Sequence, residues 1–98
     1  MKRTYNGISH NLRNLVYERD SYTCVLCERP ADDCHHVIPK SKGGRDVVVN
    51  LVSICRYHHA LVHREITKVR EGALTSETAR VAVLSYIETC YGTNNDFP

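Results

Sequence analysis

Cys24 and Cys27 are separated by two residues, Cys55 and His58 repeat that spacing, and His35-His36, Asn50, His59 and His63 fall between and just beyond these pairs. Thiolates and an imidazole presented by two tight turns are the donors that a tetrahedral zinc ion takes. Four of them close the shell, so the spacing predicts a structural zinc on Cys24, Cys27, Cys55 and His58. Such an ion would tie a knuckle before one strand to the start of the helix after another. The remaining histidines suit different chemistry. Imidazole is partly unprotonated near pH 7, so it can ligate a metal or accept a proton from water.

The elements that must position these residues can be followed along the chain. Ser9 can cap a short helix carrying Leu12, Leu15 and Val16 on one face and running to about Arg19, where Asp20-Ser21 stops it. Tyr22 to Asp33, cysteine-paired and broken by Pro30, has the character of a metal-binding knuckle. Cys34 to Ile38 predicts a strand closed by Pro39, Lys40 to Asp46 a flexible basic loop, and Val47 to Cys55 a second strand. Together they make a long-looped hairpin. Arg56 to Arg70 carries Val62, Ile66 and Val69 at helical spacing and should be a helix ending near Gly72. A further helix over about 75–91, capped by Thr75 or Ser76, has Val81, Leu84 and Ile87 as its apolar face, and Gly92 ends it. The polar tail 93–98 is expected to be disordered. The fold class is thus α+β, a single domain over 1–98 with its core at about 13–70.

Periodicity divides the histidines. On a helix, successive residues are rotated by about a hundred degrees, so His58 and His59 cannot face the same place. His58 shares a face with Val62, Ile66 and Val69, toward the interior and the zinc, and His59 shares a stripe with His63 and Arg70. On a strand, neighbours alternate, so His35 and His36 should diverge, and both could flank one ion only at a twisted strand end.

Composition sets the outer limits. At 98 residues the chain buries too little apolar surface to be stable by a wide margin, and a metal staple would answer that need. No cleavable apolar signal precedes the five cysteines, which points to a reducing compartment and to metal ligation more than disulfides. No run of apolar residues is long enough to span a bilayer, so a membrane location is not expected. The formal charge of +2 neither argues for nor excludes nucleic acid. Cys34 and Cys90, without partners at ligand spacing, are expected to be buried thiols, and His10 an ordinary histidine.

Several segments together resemble the HNH endonuclease family and its ββα-metal fold. They are Arg19-Asp20-Ser21-Tyr22-Thr23-Cys24, His35-His36-Val37-Ile38-Pro39, Gly43-Gly44, Asn50-Leu51 and Cys55 to His59, within about Arg13 to His63. The resemblance implies a two-stranded hairpin plus helix with a structural zinc knuckle, flanked here by N- and C-terminal helices. It makes His36 the general base, His35 and His59 ligands of a catalytic metal, and Asn50 the residue that fixes the loop or orients His36. His63 would be a further ligand of that metal, a phosphate contact or a surface histidine. Members often have Asp where this chain has His35 and Cys where it has His58. Both changes keep a ligand, and the first favours Mn, Ni, Co or Zn without excluding Mg. The chain is in this respect similar to the colicin-type nucleases, where the corresponding histidine binds metal.

The implied activity is hydrolysis of DNA phosphodiesters, with water activated by His36 and with 5′-phosphate and 3′-hydroxyl products. Lys40, Lys42 and Arg45 in the loop and Arg56, Arg64, Lys68 and Arg70 on the expected helix suit phosphates, so binding should be salt-sensitive with weak sequence preference. One such site cuts one strand. A double-strand break needs two copies or two binding events, and the C-terminal helix is a candidate homodimer surface. Family analogy alone points to the cytoplasm of a bacterial or phage-infected cell and to phage packaging proteins as partners. Two other readings are a catalytically inactive zinc-stapled DNA-binding accessory module and a zinc-knuckle interaction protein without nucleic acid. The combination of His36, Asn50 and His59 argues against both.

Overall fold

The computed structural model describes residues 8–92, so the disorder expected for 93–98 lies outside the described residues. Helix α1 (His10–Arg19) begins at Ser9, whose hydroxyl accepts a hydrogen bond from the Leu12 N–H at 3.1 Å. Its apolar face is narrower than expected. Val16 is buried and Leu12 packs at the margin of the core, but Leu15 is exposed, because α1 packs chiefly against the hairpin along one side. Past the helix, Ser21 and Tyr22 take positive φ, which turns the chain into the knuckle.

Strands β1 (Asp33–His36) and β2 (Leu51–Ile54) form an antiparallel pair with His35 opposite Val52 and His36 opposite Leu51. This is the expected hairpin, with both strands shorter than Cys34 to Ile38 and Val47 to Cys55. The second strand starts late because Val48–Asn50 form a 3-10 turn that aims Asn50 into the loop. All four β2 residues are buried, and the pleat divides them. Val52 and Ile54 join Leu61, Val62, Ala79, Val83 and Ile87 in one cluster, while Leu51 packs with Ile8, Val16 and Cys34 in another.

Arg19 and Asp20 join three elements. The Arg19 guanidinium grips Asp20 through Nε at 2.7 Å and donates to the carbonyls of Val48 and Leu51. Asp20 also accepts from the Ser53 N–H and from the Tyr86 hydroxyl. Burial pushes the Asp20 carboxyl up, and the bonds from Arg19, Tyr86 and Ser53 outweigh it and hold the carboxyl below its ordinary range.

Helix α2 (Arg56–Val62) is half the length expected. Arg64, at φ +65°, ends it: its N–H bonds the Leu61 carbonyl and the Glu65 N–H bonds the Ala60 carbonyl, which is a Schellman stop made without glycine. Ile66 and Val69 still pack on the core, but from irregular chain. Helix α3 (Ser76–Tyr91) starts at Thr75 in a capping arrangement with Thr78 and ends at Gly92, as expected. Its buried face is Ala79, Val83 and Ile87; of the expected trio, Val81 and Leu84 are exposed. Tertiary bonds set that phase, since Ser76 Oγ donates to the Leu61 carbonyl and Arg80 to that of Val62. Cys34 is buried as expected, whereas Cys90 is exposed, in the last turn beyond Ile87, the final buried residue of α3. No helix among the described residues is long and apolar enough to cross a membrane.

The loop between the strands is held closely. Asn50 Oδ1 accepts from the Ile38 N–H at 2.8 Å, and Nδ2 donates to the carbonyls of Ile38 and Arg45. Gly44 makes this closure fit, because a Cβ there would stand 1.7 Å from the Ile38 carbonyl oxygen and 2.9 Å from Asn50 Nδ2. Gly44→Ala is therefore expected to destabilise the fold by about 1–3 kcal/mol, the usual range for overpacking. Denaturant unfolding against wild type provides the check, with Gly43→Ala alongside to measure left-handed strain alone, since Gly43 has φ +91° and its Cβ would meet nothing within 4 Å. A Gly44→Ala midpoint equal to that of wild type would refute the close approach.

Candidate functional site

Cys24 and Cys27 on the knuckle meet Cys55 and His58 at the start of α2, their donor atoms all within 4.8 Å of one another. Cys27 Sγ to Cys55 Sγ is 3.8 Å, Cys24 Sγ to His58 Nδ1 3.8 Å, and Cys55 Sγ to His58 Nδ1 3.4 Å. Around a tetrahedral ion with arms of about 2.3 Å to sulfur, donors sit about 3.8 Å apart, close to these three separations. The N–H groups of Leu26 and His58 point at Cys24 and Cys55 sulfurs from 3.4 Å, as suits thiolates. Burial pushes the Cys24 thiol up to about 11, a cost that a bound cation offsets. This group could hold a structural zinc, as its spacing predicts.

His35, His59 and His63 form a second group able to hold a metal ion. Their ring centroids are 4.8 to 5.3 Å apart. His35 Nδ1 and His59 Nε2 are buried with no hydrogen-bond partner, an arrangement that is costly unless a ligand takes their lone pairs. On His59 the other nitrogen, Nδ1, contacts Asp33 Oδ2 at 3.0 Å; donation to that carboxylate leaves Nε2 unprotonated and facing the group. Burial, then the neighbouring His59, His63 and His36, push His35 down to about 3, so its ring stays neutral and its lone pair available. Burial and His59 lower His63 as well. The donor set fits a borderline transition-metal ion.

The expected divergence of His35 and His36 is present and is compatible with a common site. His35 turns to His59 and His63, while His36 turns to the loop, where its Nε2 lies 2.7 Å from Asp46 Oδ1. Both still line two adjoining depressions of about 160 and 140 Å³, together with Pro39 and His63. The bond to His36, and after a smaller opposing effect of burial the nearby Lys40, hold the Asp46 carboxyl below its ordinary range. Asn50 does not bond His36 among the described contacts; its side chain secures the loop from Ile38 to Arg45.

The basic residues separate into two places. Lys40 lines the first depression beside His35 and His36, Lys42 and Arg45 are exposed on the same loop, and Arg64 is exposed just past α2. Arg70 corrects the expected stripe. With α2 ending at Val62 it does not follow His59 and His63, and instead lines a hollow with Cys27, Arg29, Tyr57 and His58; Arg56 lines a neighbouring one with Arg29, Tyr57 and Cys55. Three residues at the site escaped the sequence: Asp33 behind His59, Asp46 behind His36, and Arg80, which reaches the second depression from α3. The two aspartates lie 26 and 10 positions from their histidines, beyond any local periodicity.

Residues 24–65 match the family model described as HNH endonuclease, the family that the motifs resemble. No curated protein matches the chain. The matched segment contains the hairpin, α2 and both metal-ligand groups, and leaves α1 and α3 outside.

Proposed function

We propose, with the HNH match as premise, that this protein is a metal-dependent endonuclease that hydrolyses DNA phosphodiester bonds with His36 as general base. The single observation carrying this reading is the trio His35, His59 and His63, with two buried nitrogens lacking partners, in the same depressions as His36. The trio would hold a divalent ion such as Mg, Mn, Ni, Co or Zn, which when bound supplies charge relief at the phosphate and the leaving 3′ oxygen. His36 accepts the proton of the attacking water. Asn50 keeps the loop in place, and so keeps Lys40 beside the depression. Arg80 adds fixed positive charge from outside the matched segment, where charge on phosphorus must be stabilised.

Lys40, Lys42, Arg45 and Arg64 are proposed to track the DNA backbone near the site. Arg56 and Arg70, with Arg29 and Tyr57, would meet it farther along. Cutting both strands would require two copies or two encounters.

The test is conversion of supercoiled plasmid to nicked circles by zinc-loaded protein, with each of the five ions in turn and with chelator. Nicking is expected with at least one ion, weakening as salt rises. DNA binding without nicking under any ion would replace this reading by the inactive, zinc-stapled binding module.

A further inference from the structure

The contact between His36 and Asp46 goes further than a choice of base. We propose that Asp46 is the positioning residue of His36, holding its imidazole as the Nε2–H tautomer so that Nδ1 is the nitrogen that receives the proton from water. This inference deepens the nuclease reading and rests on it for the role of Nδ1.

An ionised carboxylate only accepts hydrogen bonds. At 2.7 Å from Asp46 Oδ1, the Nε2 of a neutral ring must therefore carry the proton, and the lone pair must be on Nδ1. Burial fixes the His36 ring, which is 6% exposed, whereas the more open Asp46 is held by its contacts with His36 and Lys40. The loop is also built to deliver Asp46: Asn50 bonds the carbonyl of Arg45, the residue immediately before it, and Gly44 lets that stretch press against Ile38. Asn50 thus acts on the base at one remove, through the loop and Asp46. The second carboxylate oxygen, Oδ2, faces Lys40 Nζ at 3.6 Å.

Lys40 makes the proposal discriminating. In Asp46→Asn the amide is expected to turn its oxygen toward the Lys40 ammonium and its NH2 toward His36. Nε2 would then have to accept, the proton would move to Nδ1, and the base would be blocked. A merely structural loop contact predicts the opposite ranking, with the isosteric Asn the mildest change.

The experiment uses the full, zinc-loaded chain labelled with 15N, and compares wild type, Asp46→Ala and Asp46→Asn. Long-range 1H–15N spectra report the His36 tautomer without reference to activity, and plasmid nicking is measured in parallel. The expected wild-type ring is protonated on Nε2, the Ala variant mixes tautomers, and the Asn variant is protonated on Nδ1. Turnover should fall about 10–100-fold in Asp46→Ala, at least as far in Asp46→Asn, with KM for DNA little changed. A wild-type ring protonated on Nδ1, unchanged tautomers in both variants, or an Asn variant that cleaves like wild type would overturn the proposal. If wild type nicks no DNA, the nuclease reading fails by itself, and the tautomer comparison still decides whether Asp46 sets the ring.

Discussion

His36→Ala should lower plasmid nicking by about 10²–10⁴-fold, the span that a positioned general base contributes. The ring does not belong to either ligand group, so zinc content and metal binding at His35, His59 and His63 should survive its removal. It is buried at 6% exposure on the last residue of β1, and some loss of stability will follow. A melt and a zinc assay on the same sample separate that loss from chemistry. The informative comparison is His35→Ala, which removes one of the three clustered nitrogens: added divalent ion should partly restore cleavage there and should do nothing for His36→Ala. Nicking by His36→Ala at the wild-type rate, with the variant folded, would remove His36 as the base and leave the histidine trio to act without it.

Different parts of this site were legible in the sequence for different physical reasons. Two pairs at ligand spacing and a hundred-degree rotation per residue were enough to send His58 to the thiolates and His59 away from them, since both arguments use only local geometry. The same rotation does not extend to Arg70, because α2 ends at Val62 and Arg64 turns the chain away. That stop is held by a left-handed arginine rather than the glycine that usually marks one, so nothing in the residue types announced it. The face of α3 was misplaced for a related reason. Val81 and Leu84 are good apolar residues, but Ser76 and Arg80 bond the end of α2 and rotate Ala79 and Val83 inward instead. Asp20 ends α1 as the sequence indicates, and in addition is the buried acceptor joining α1, β2 and α3, a role that no local pattern announces.

The structural-zinc assignment carries the other large effect. Cys24→Ala is expected to abolish cooperative thermal unfolding, because it would remove a ligand and open the shell of the zinc that Cys24, Cys27, Cys55 and His58 could hold between the knuckle and α2. Structural zinc binding contributes on the order of 10–16 kcal/mol in small zinc domains, comparable with or above the roughly 5–15 kcal/mol that keeps a typical domain folded. The packing loss at Cys24 is smaller. Its fully buried side chain touches the cluster of Val52, Ile54 and Leu61, and a buried thiol is only a small hydrophobe. Cys34→Ala separates the two contributions, since Cys34 is equally buried but belongs to neither ligand group. That variant should keep a full zinc equivalent and a cooperative melt at somewhat lower temperature. Circular dichroism and atomic absorption on wild type, both variants and chelated wild type give the result. Chelation should reproduce the Cys24→Ala profile, and a Cys24→Ala protein that melts like Cys34→Ala would show that these four residues pack the core without an ion holding them.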